Sequence, residues 1–238
     1  MILGTEPVTH LTFDCYGTLI DWERGILAAI TPLFERVGRK APSEAILRSF
    51  VAHEARLEAG SWKRYREILG EVLIGVAADL KFSLSDTETS LLSDSLPHWA
   101  PFPDTVKALQ SLSKRFRLVI LSNTDDALFA ETQKRLGVRF DEIITAEQVK
   151  SYKPGKAHFR EALRRLNVPV SQVLHVAQSL HHDHVPAQEL GFRTAWINRP
   201  SLLAGTGLAP QVRIKPDLVF ADLGGFVASI LPAHDLTV

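Results

Sequence analysis

From about residue 103 onward, short apolar runs alternate with longer stretches, and this alternation constrains the fold more than any other feature of the chain. Apolar runs at 118–121, 142–145, 173–176, 194–197 and 218–220 read as strands, and the first three gaps are long enough for a helix. In one such gap, residues 156–166 place Phe159, Leu163 and Leu166 at helical spacing. A further β-rich run, His10-Leu11-Thr12-Phe13, ends at Asp14, as the run at 118–121 ends at Ser122. Strand alternating with helix implies a mostly parallel sheet with helices on its faces. Ligands of such sheets bind beyond the carboxyl ends of the strands, where Asp14, Ser122 and the polar run after Val176 fall.

Between Trp22 and about Pro101 the pattern changes. Amphipathic segments at 24–37, 43–59, 62–79 and 86–96, with few strand signals, predict a helical insertion. Pro97 and the cluster Pro101-Phe102-Pro103 mark its return to the sheet, because proline cannot continue a helix. The expected division is an α/β core of residues 1–21 and 102–238 and an inserted helical domain of residues 22–101. No internal repeat is evident, and Gly205-Thr206-Gly207 reads as a turn-rich connection.

With 238 residues and 45% hydrophobic content the chain can bury a full core. Lys plus Arg equals Asp plus Glu at 27 each, so no net field draws it to nucleic acid or to an anionic membrane, and a small-molecule partner is expected. The lone Cys15 cannot form an internal disulfide. Met-Ile-Leu-Gly-Thr-Glu-Pro lacks the basic start and apolar run of a secretory signal, so a cytoplasmic location is expected. No stretch approaches the ~20 apolar residues of a membrane span.

In Phe13-Asp14-Cys15-Tyr16-Gly17-Thr18-Leu19 a carboxylate stands at a strand end, followed by a glycine turn and a hydroxyl able to fold back towards it. Alone, that pattern also describes a helix-capping Asp, Ser122-Asn123-Thr124 an ordinary helix start, and Lys153 in Ser151-Tyr152-Lys153-Pro154-Gly155 a solvated loop. A fourth element, Val176-Ala177-Gln178-Ser179-Leu180-His181-His182-Asp183, precedes Leu190-Gly191-Phe192-Arg193-Thr194-Ala195-Trp196-Ile197-Asn198-Arg199. Together and in order, across essentially the whole chain, these segments resemble the four motifs of the haloacid dehalogenase superfamily. The resemblance implies a Rossmann-like parallel sheet with helices on both faces plus an inserted helical cap domain. It implies that Asp14 is the nucleophile and forms a covalent ester, and that Thr18 orients it. Lys153 would keep Asp14 ionised and offset charge in the transition state. Asp183 falls where the second acid of the fourth motif belongs.

Most members of that superfamily are magnesium phosphatases with Asp-x-Asp in the first motif, whose second Asp protonates the departing alkoxide. Tyr16 stands there instead. A halide is a weak base and leaves without a general acid, so Tyr16 suits dehalogenation. Gln178 replaces an acid that helps hold Mg²⁺, a cation that favours carboxylate oxygens, so no cofactor is expected, with Mg²⁺ needed only by a phosphatase. The chain resembles the metal-free (S)-2-haloacid dehalogenases. By that resemblance Asp14 attacks C2 of a small 2-haloalkanoic acid, and water then hydrolyses the ester with Asp183 as base and Lys153 assisting. The substrate carboxylate would rest on Ser122, Asn123 and nearby amides, with Tyr16, Gln178 and Ser179 completing the binding surface. The partner is thus a small anionic molecule, and a homodimer is plausible.

Several residues depart from that branch. Leu180 replaces its Asn, Phe159 replaces a Tyr shortly after the Lys-Pro, and no cap arginine among Arg39, Arg48 and Arg56 aligns with its halide-binding Arg. Trp22, Trp62 and Tyr65 are candidates for a halide or acyl pocket, although such aromatics are more often plain core. Two further readings stay open: a Mg-dependent small-molecule phosphatase, and a catalytically impaired member acting as a binding or interaction protein. A metal site at His181-His182-Asp183-His184 needs ligands from elsewhere, and Cys15 as nucleophile lies beside a better-placed carboxylate.

Overall fold

The computed structural model describes residues 7–203 and 212–232, so the Gly205-Thr206-Gly207 turn lies outside the described residues. The expected runs are strands β1 (His10–Phe13), β2 (Arg117–Ser122), β3 (Glu142–Thr145), β4 (Val173–Ala177), β5 (Arg193–Ile197) and β6 (Leu218–Phe220). They form one parallel sheet in the order β3-β2-β1-β4-β5-β6. Chain order reverses beside β1, and such a reversal opens a crevice at the carboxyl ends of the two strands that flank it, here β1 and β4.

Between β1 and β2 the chain forms α1 (Trp22–Glu35), α2 (Ser43–Glu58), α3 (Tyr65–Leu80) and α4 (Leu91–Ser95) before α5 (Thr105–Leu112) returns it to the sheet. Departure and return run side by side: Asp21 N–H donates to the Ala100 carbonyl at 2.9 Å and Phe102 N–H to that of Leu19 at 3.0 Å. The single helix expected over residues 86–96 is instead three pieces, a 3-10 turn at Asp86–Glu88, α4, and a second 3-10 turn at Leu96–His98. Its short polar side chains compete with the helix for backbone groups. Ser85 and Glu88 cap the first turn, the Thr89 hydroxyl donates to the Asp86 carbonyl at 2.9 Å, and Pro97 lacks the next donor.

The remaining helices are α6 (Asp126–Leu136), α7 (Ala146–Val149), α8 (Ala157–Leu166), α9 (Val185–Glu189) and α10 (Leu223–Ile230). Alternation along β2 shows why both sheet faces are covered. Leu118 and Ile120 belong to the same buried cluster as Leu109 of α5, Leu128 of α6 and Phe226 of α10, whereas Val119 and Leu121 belong to a second cluster with Phe159 of α8 and Ala187 of α9. Among the described residues no helix is long and apolar enough to cross a membrane.

Candidate active site

Asp14 follows β1 directly, its N–H still donating to the Val176 carbonyl of β4 at 3.2 Å. The chain then reverses at Gly17, whose φ of 101° lies in the left-handed half of backbone space. A Cβ there would also stand 3.3 Å from the Trp22 indole and 3.4 Å from Gln178 Oε1. The reversal brings the Thr18 hydroxyl onto Asp14 Oδ2 at 2.7 Å, and Thr18 Oγ1 in turn accepts the Gln178 N–H at 2.9 Å. Arg199 holds the same turn from behind, donating to the Thr18 carbonyl and to Asp104.

One ammonium joins the strand ends. Lys153, 1% exposed, donates through Nζ to Asp14 Oδ1 at 2.9 Å, Asp183 Oδ1 at 2.7 Å and the Leu121 carbonyl at 2.8 Å. Its three donors are thereby used. Burial opposes charge on Lys153, but attraction to Asp14 and Asp183 outweighs it and holds the ammonium well above the ordinary lysine range. The carboxylates respond differently. Burial pushes Asp14 above its usual value against the pull of Lys153, with repulsion from Asp183 adding to the rise. Burial also works against charge on Asp183, yet Lys153 and a hydrogen bond from His175 hold it well below the usual range. Cys15 is fully buried, and burial pushes its thiol far up, which disfavours the thiolate that a cysteine nucleophile needs.

Asp183 sits in a wide turn, Leu180–His184, in which the Ser179 carbonyl accepts from both Asp183 N–H at 3.2 Å and His184 N–H at 3.3 Å. The i to i+5 bond makes this a π-turn. Ser179 is occupied in capping it, its hydroxyl accepting the His182 N–H at 3.1 Å. Burial holds His182 and His184 down to about 4, and the His184 ring bonds the Ala177 carbonyl.

The other expected residues divide. Ser122 closes β2 with its hydroxyl buried and without a partner among the described residues. Asn123 is committed to Lys153 on two sides: Oδ1 accepts the Lys153 N–H at 2.8 Å and Nδ2 donates to the Lys153 carbonyl at 3.1 Å. It also donates to both oxygens of Glu58 at 3.3 Å. Tyr16 turns its hydroxyl to Thr132 at 2.8 Å and sets its ring edge-on to Trp99. Gln178 is half-buried, and its carbonyl accepts the Trp196 indole N–H at 2.8 Å.

The helical insertion presents acid to this region. Glu58 of α2 reaches Asn123, and Glu54, one turn earlier, accepts the Tyr65 hydroxyl at 2.6 Å. Burial raises Glu54 to about 7, while burial and the neighbouring Glu54 raise Glu58 well above its ordinary value. The three arginines are spent on the surface: Arg39 on the carbonyls of Leu80 and Lys81, Arg48 on Glu44, Arg56 beside His53. Trp22 packs against Phe50 and the Gly17 turn, whereas Trp62 carries the Lys150 ammonium over its ring at 4.0 Å.

Residues that sequence reading passes over complete the site. Asp125, directly after the second motif, accepts the N–H groups of Tyr65 at 2.7 Å and Arg66 at 2.9 Å and so caps α3 from the core. Nothing local signals a cap on a helix 60 residues earlier in the chain. His175 does carry a readable signal, a polar side chain inside an otherwise apolar strand; it bonds Asp183 at 3.1 Å and Thr12 at 2.9 Å.

Comparison with known proteins identifies the family. A family described as haloacid dehalogenase-like hydrolase matches residues 8–181. An (S)-2-haloacid dehalogenase of Pseudomonas putida is 26% identical over 228 residues, covering 92% of this chain and 94% of the relative. One from Pseudomonas fluorescens is 27% identical with the same coverage. The solved structure of L-2-haloacid dehalogenase from Xanthobacter autotrophicus superposes with a TM-score of 0.79 at 20% identity, covering 94% of this chain and 98% of that one.

Proposed function

The chain belongs to the haloacid dehalogenase-like hydrolases, and we propose that it hydrolyses small 2-haloalkanoic acids to 2-hydroxy acids through an ester on Asp14, without a metal. The observation that carries this reading is the Lys153 ammonium bonded to both Asp14 and Asp183. In this reading an Asp14 oxygen attacks C2, the carbon–halogen bond breaks with its electron pair going to halide, and the centre inverts. The ester then takes water at its carbonyl carbon.

The residues do not suit Mg²⁺, which asks for near-octahedral oxygen ligands with carboxylates among them. Lys153 already supplies the positive charge between the acids at the strand ends, and the flanking positions offer only the phenol of Tyr16 and the amide of Gln178. The (S)-2-haloacid dehalogenases among the relatives, similar over nearly the full chain, support a halide as leaving group. Glu54 and Glu58 are compatible with an anionic substrate because burial favours their protonated forms. The Ser122 hydroxyl, which has no partner among the described residues, would meet a substrate oxygen only once it is uncovered, and Asn123 offers the N–H that Glu58 now holds.

The test is chloride release from 2-chloropropionate in EDTA. Release that disappears in Asp14→Asn supports the proposal. Hydrolysis of p-nitrophenyl phosphate that requires added magnesium, with no chloride release, would overturn it in favour of a phosphatase.

A further inference from the structure

β4 is buried along its whole length, yet its centre is His175, a side chain with 0% exposure. Such a ring is costly to bury unless both nitrogens are satisfied. Here they are. Nδ1 lies 2.9 Å from the Thr12 hydroxyl on β1, in the same register row, and Nε2 lies 3.1 Å from Asp183 Oδ1. A carboxylate only accepts, so Nε2 carries a hydrogen in either charge state of the ring. Phe159 packs edge-on against the imidazole with centroids 5.0 Å apart, which leaves it little freedom to turn.

His175 and Lys153 both bond the same oxygen of Asp183, Oδ1, and among the described residues none bonds Oδ2. A carboxylate held by one flexible lysine can swing about its Cβ–Cγ bond. Two donors on one oxygen, one of them a ring locked in a strand, fix the plane and so the direction of the other oxygen. Lys153 cannot do this alone, because it is shared with Asp14. When Asp14 becomes an ester it loses its charge, and of the two side-chain hydrogen bonds that Asp183 accepts among the described residues, the one from His175 does not involve the partner of Asp14.

We propose that His175 is a positioning residue for the second half of the reaction, aiming Asp183 Oδ2 at the water that hydrolyses the Asp14 ester. The inference rests on the function proposed above. In this step the water oxygen bonds to the ester carbonyl carbon and one water proton passes to Asp183. The bond from that carbon to the substrate oxygen breaks, and the departing oxygen takes the proton from Asp183 as the 2-hydroxy acid leaves. The second water proton, now on the Asp14 carboxyl, is lost to solvent, and both acids return to their starting forms. The attack on C2 needs no base, so His175 has no part in it.

The experiment compares wild type, His175→Phe and His175→Gln with 2-chloropropionate in EDTA, following chloride in the first turnover and in steady state, with intact-protein mass spectrometry of quenched samples. His175→Phe should retain a first-turnover burst near the wild-type rate, lose about 10–100-fold in steady state as misaligned base catalysis fails, and accumulate the ester. His175→Gln, which keeps a side-chain N–H, should recover part of the steady-state rate. If His175→Phe does not fold, Thr12→Val keeps the ring, removes its anchor, and should show the same split more weakly. Wild-type turnover with an unchanged steady-state rate in these variants, or with both halves slowed equally, overturns the proposal for His175 alone. A wild type that releases no chloride overturns the function on which it rests, and this proposal with it.

Discussion

Replacing Lys153 with methionine keeps a side chain of similar length and removes the ammonium, and its cost in stability should depend steeply on pH. Nζ lies 2.9 Å from Asp14 and 2.7 Å from Asp183, with the lysine side chain 1% exposed. Removing one partner of a buried ion pair costs about 3–5 kcal/mol. Here two buried carboxylates lose the same partner, so the loss at pH 8 should reach about 5 kcal/mol. In the wild type Asp183 is held below its unfolded value, so it contributes stability above the ordinary carboxylate range and loses that contribution as pH falls. Asp14, which is raised, offsets part of this. In Lys153→Met, burial and mutual repulsion push both carboxyls up. The folded variant then binds protons more readily than the unfolded chain and loses stability as pH rises through the raised range. The gap between the proteins should therefore widen from pH 5 to pH 8, as measured by urea unfolding at each. An equal gap at both values, or one below about 1 kcal/mol at pH 8, would refute the view that Lys153 holds two charged acids.

Glu54→Gln should stabilise the protein by about 2 kcal/mol more at pH 8 than at pH 5, because burial raises Glu54 to about 7 and ionising it costs the folded state over that interval. Gln keeps an acceptor for Tyr65, and chemical denaturation that finds the same gain at both pH values contradicts the assignment. Asp125→Ala should cost about 1–2 kcal/mol and speed hydrogen exchange at the amides of Tyr65 and Arg66, which lose their acceptor. Unchanged protection at those two amides would show that Asp125 does not hold α3. Tyr16→Phe should lower stability by about 1 kcal/mol through the lost bond to Thr132. Its steady-state chloride release should stay within about threefold of wild type, and a loss beyond about tenfold would place the phenol in the chemistry.

The sheet was readable from the chain because strand signals are local. Each run at 10–13, 142–145 and 218–220 coincides with a strand to the residue, since apolar β-forming residues bounded by turn formers suffice to define one. Where residues have two local options, legibility ends. Residues 86–96 have a helical apolar pattern, but Ser85 caps a separate turn, the Thr89 and Ser93 hydroxyls bond the carbonyls of Asp86 and Ser90, and the helix breaks there.

For the site, the sequence by itself determined the turn after Asp14, because Gly17 and the Thr18 hydroxyl act on a carboxylate only four residues away. Only the tertiary structure decided the company that carboxylate keeps. Lys153 meets it across 139 residues, Glu58 meets Asn123 across 65, and Asn123 turns to the backbone of Lys153. Residue type says that a lysine or a glutamate can bear charge. Whether it does so in a buried ion pair, on the surface as with Arg39, or in protonated form as burial favours for Glu58, depends on where the crossovers set the strand ends and how much water they exclude.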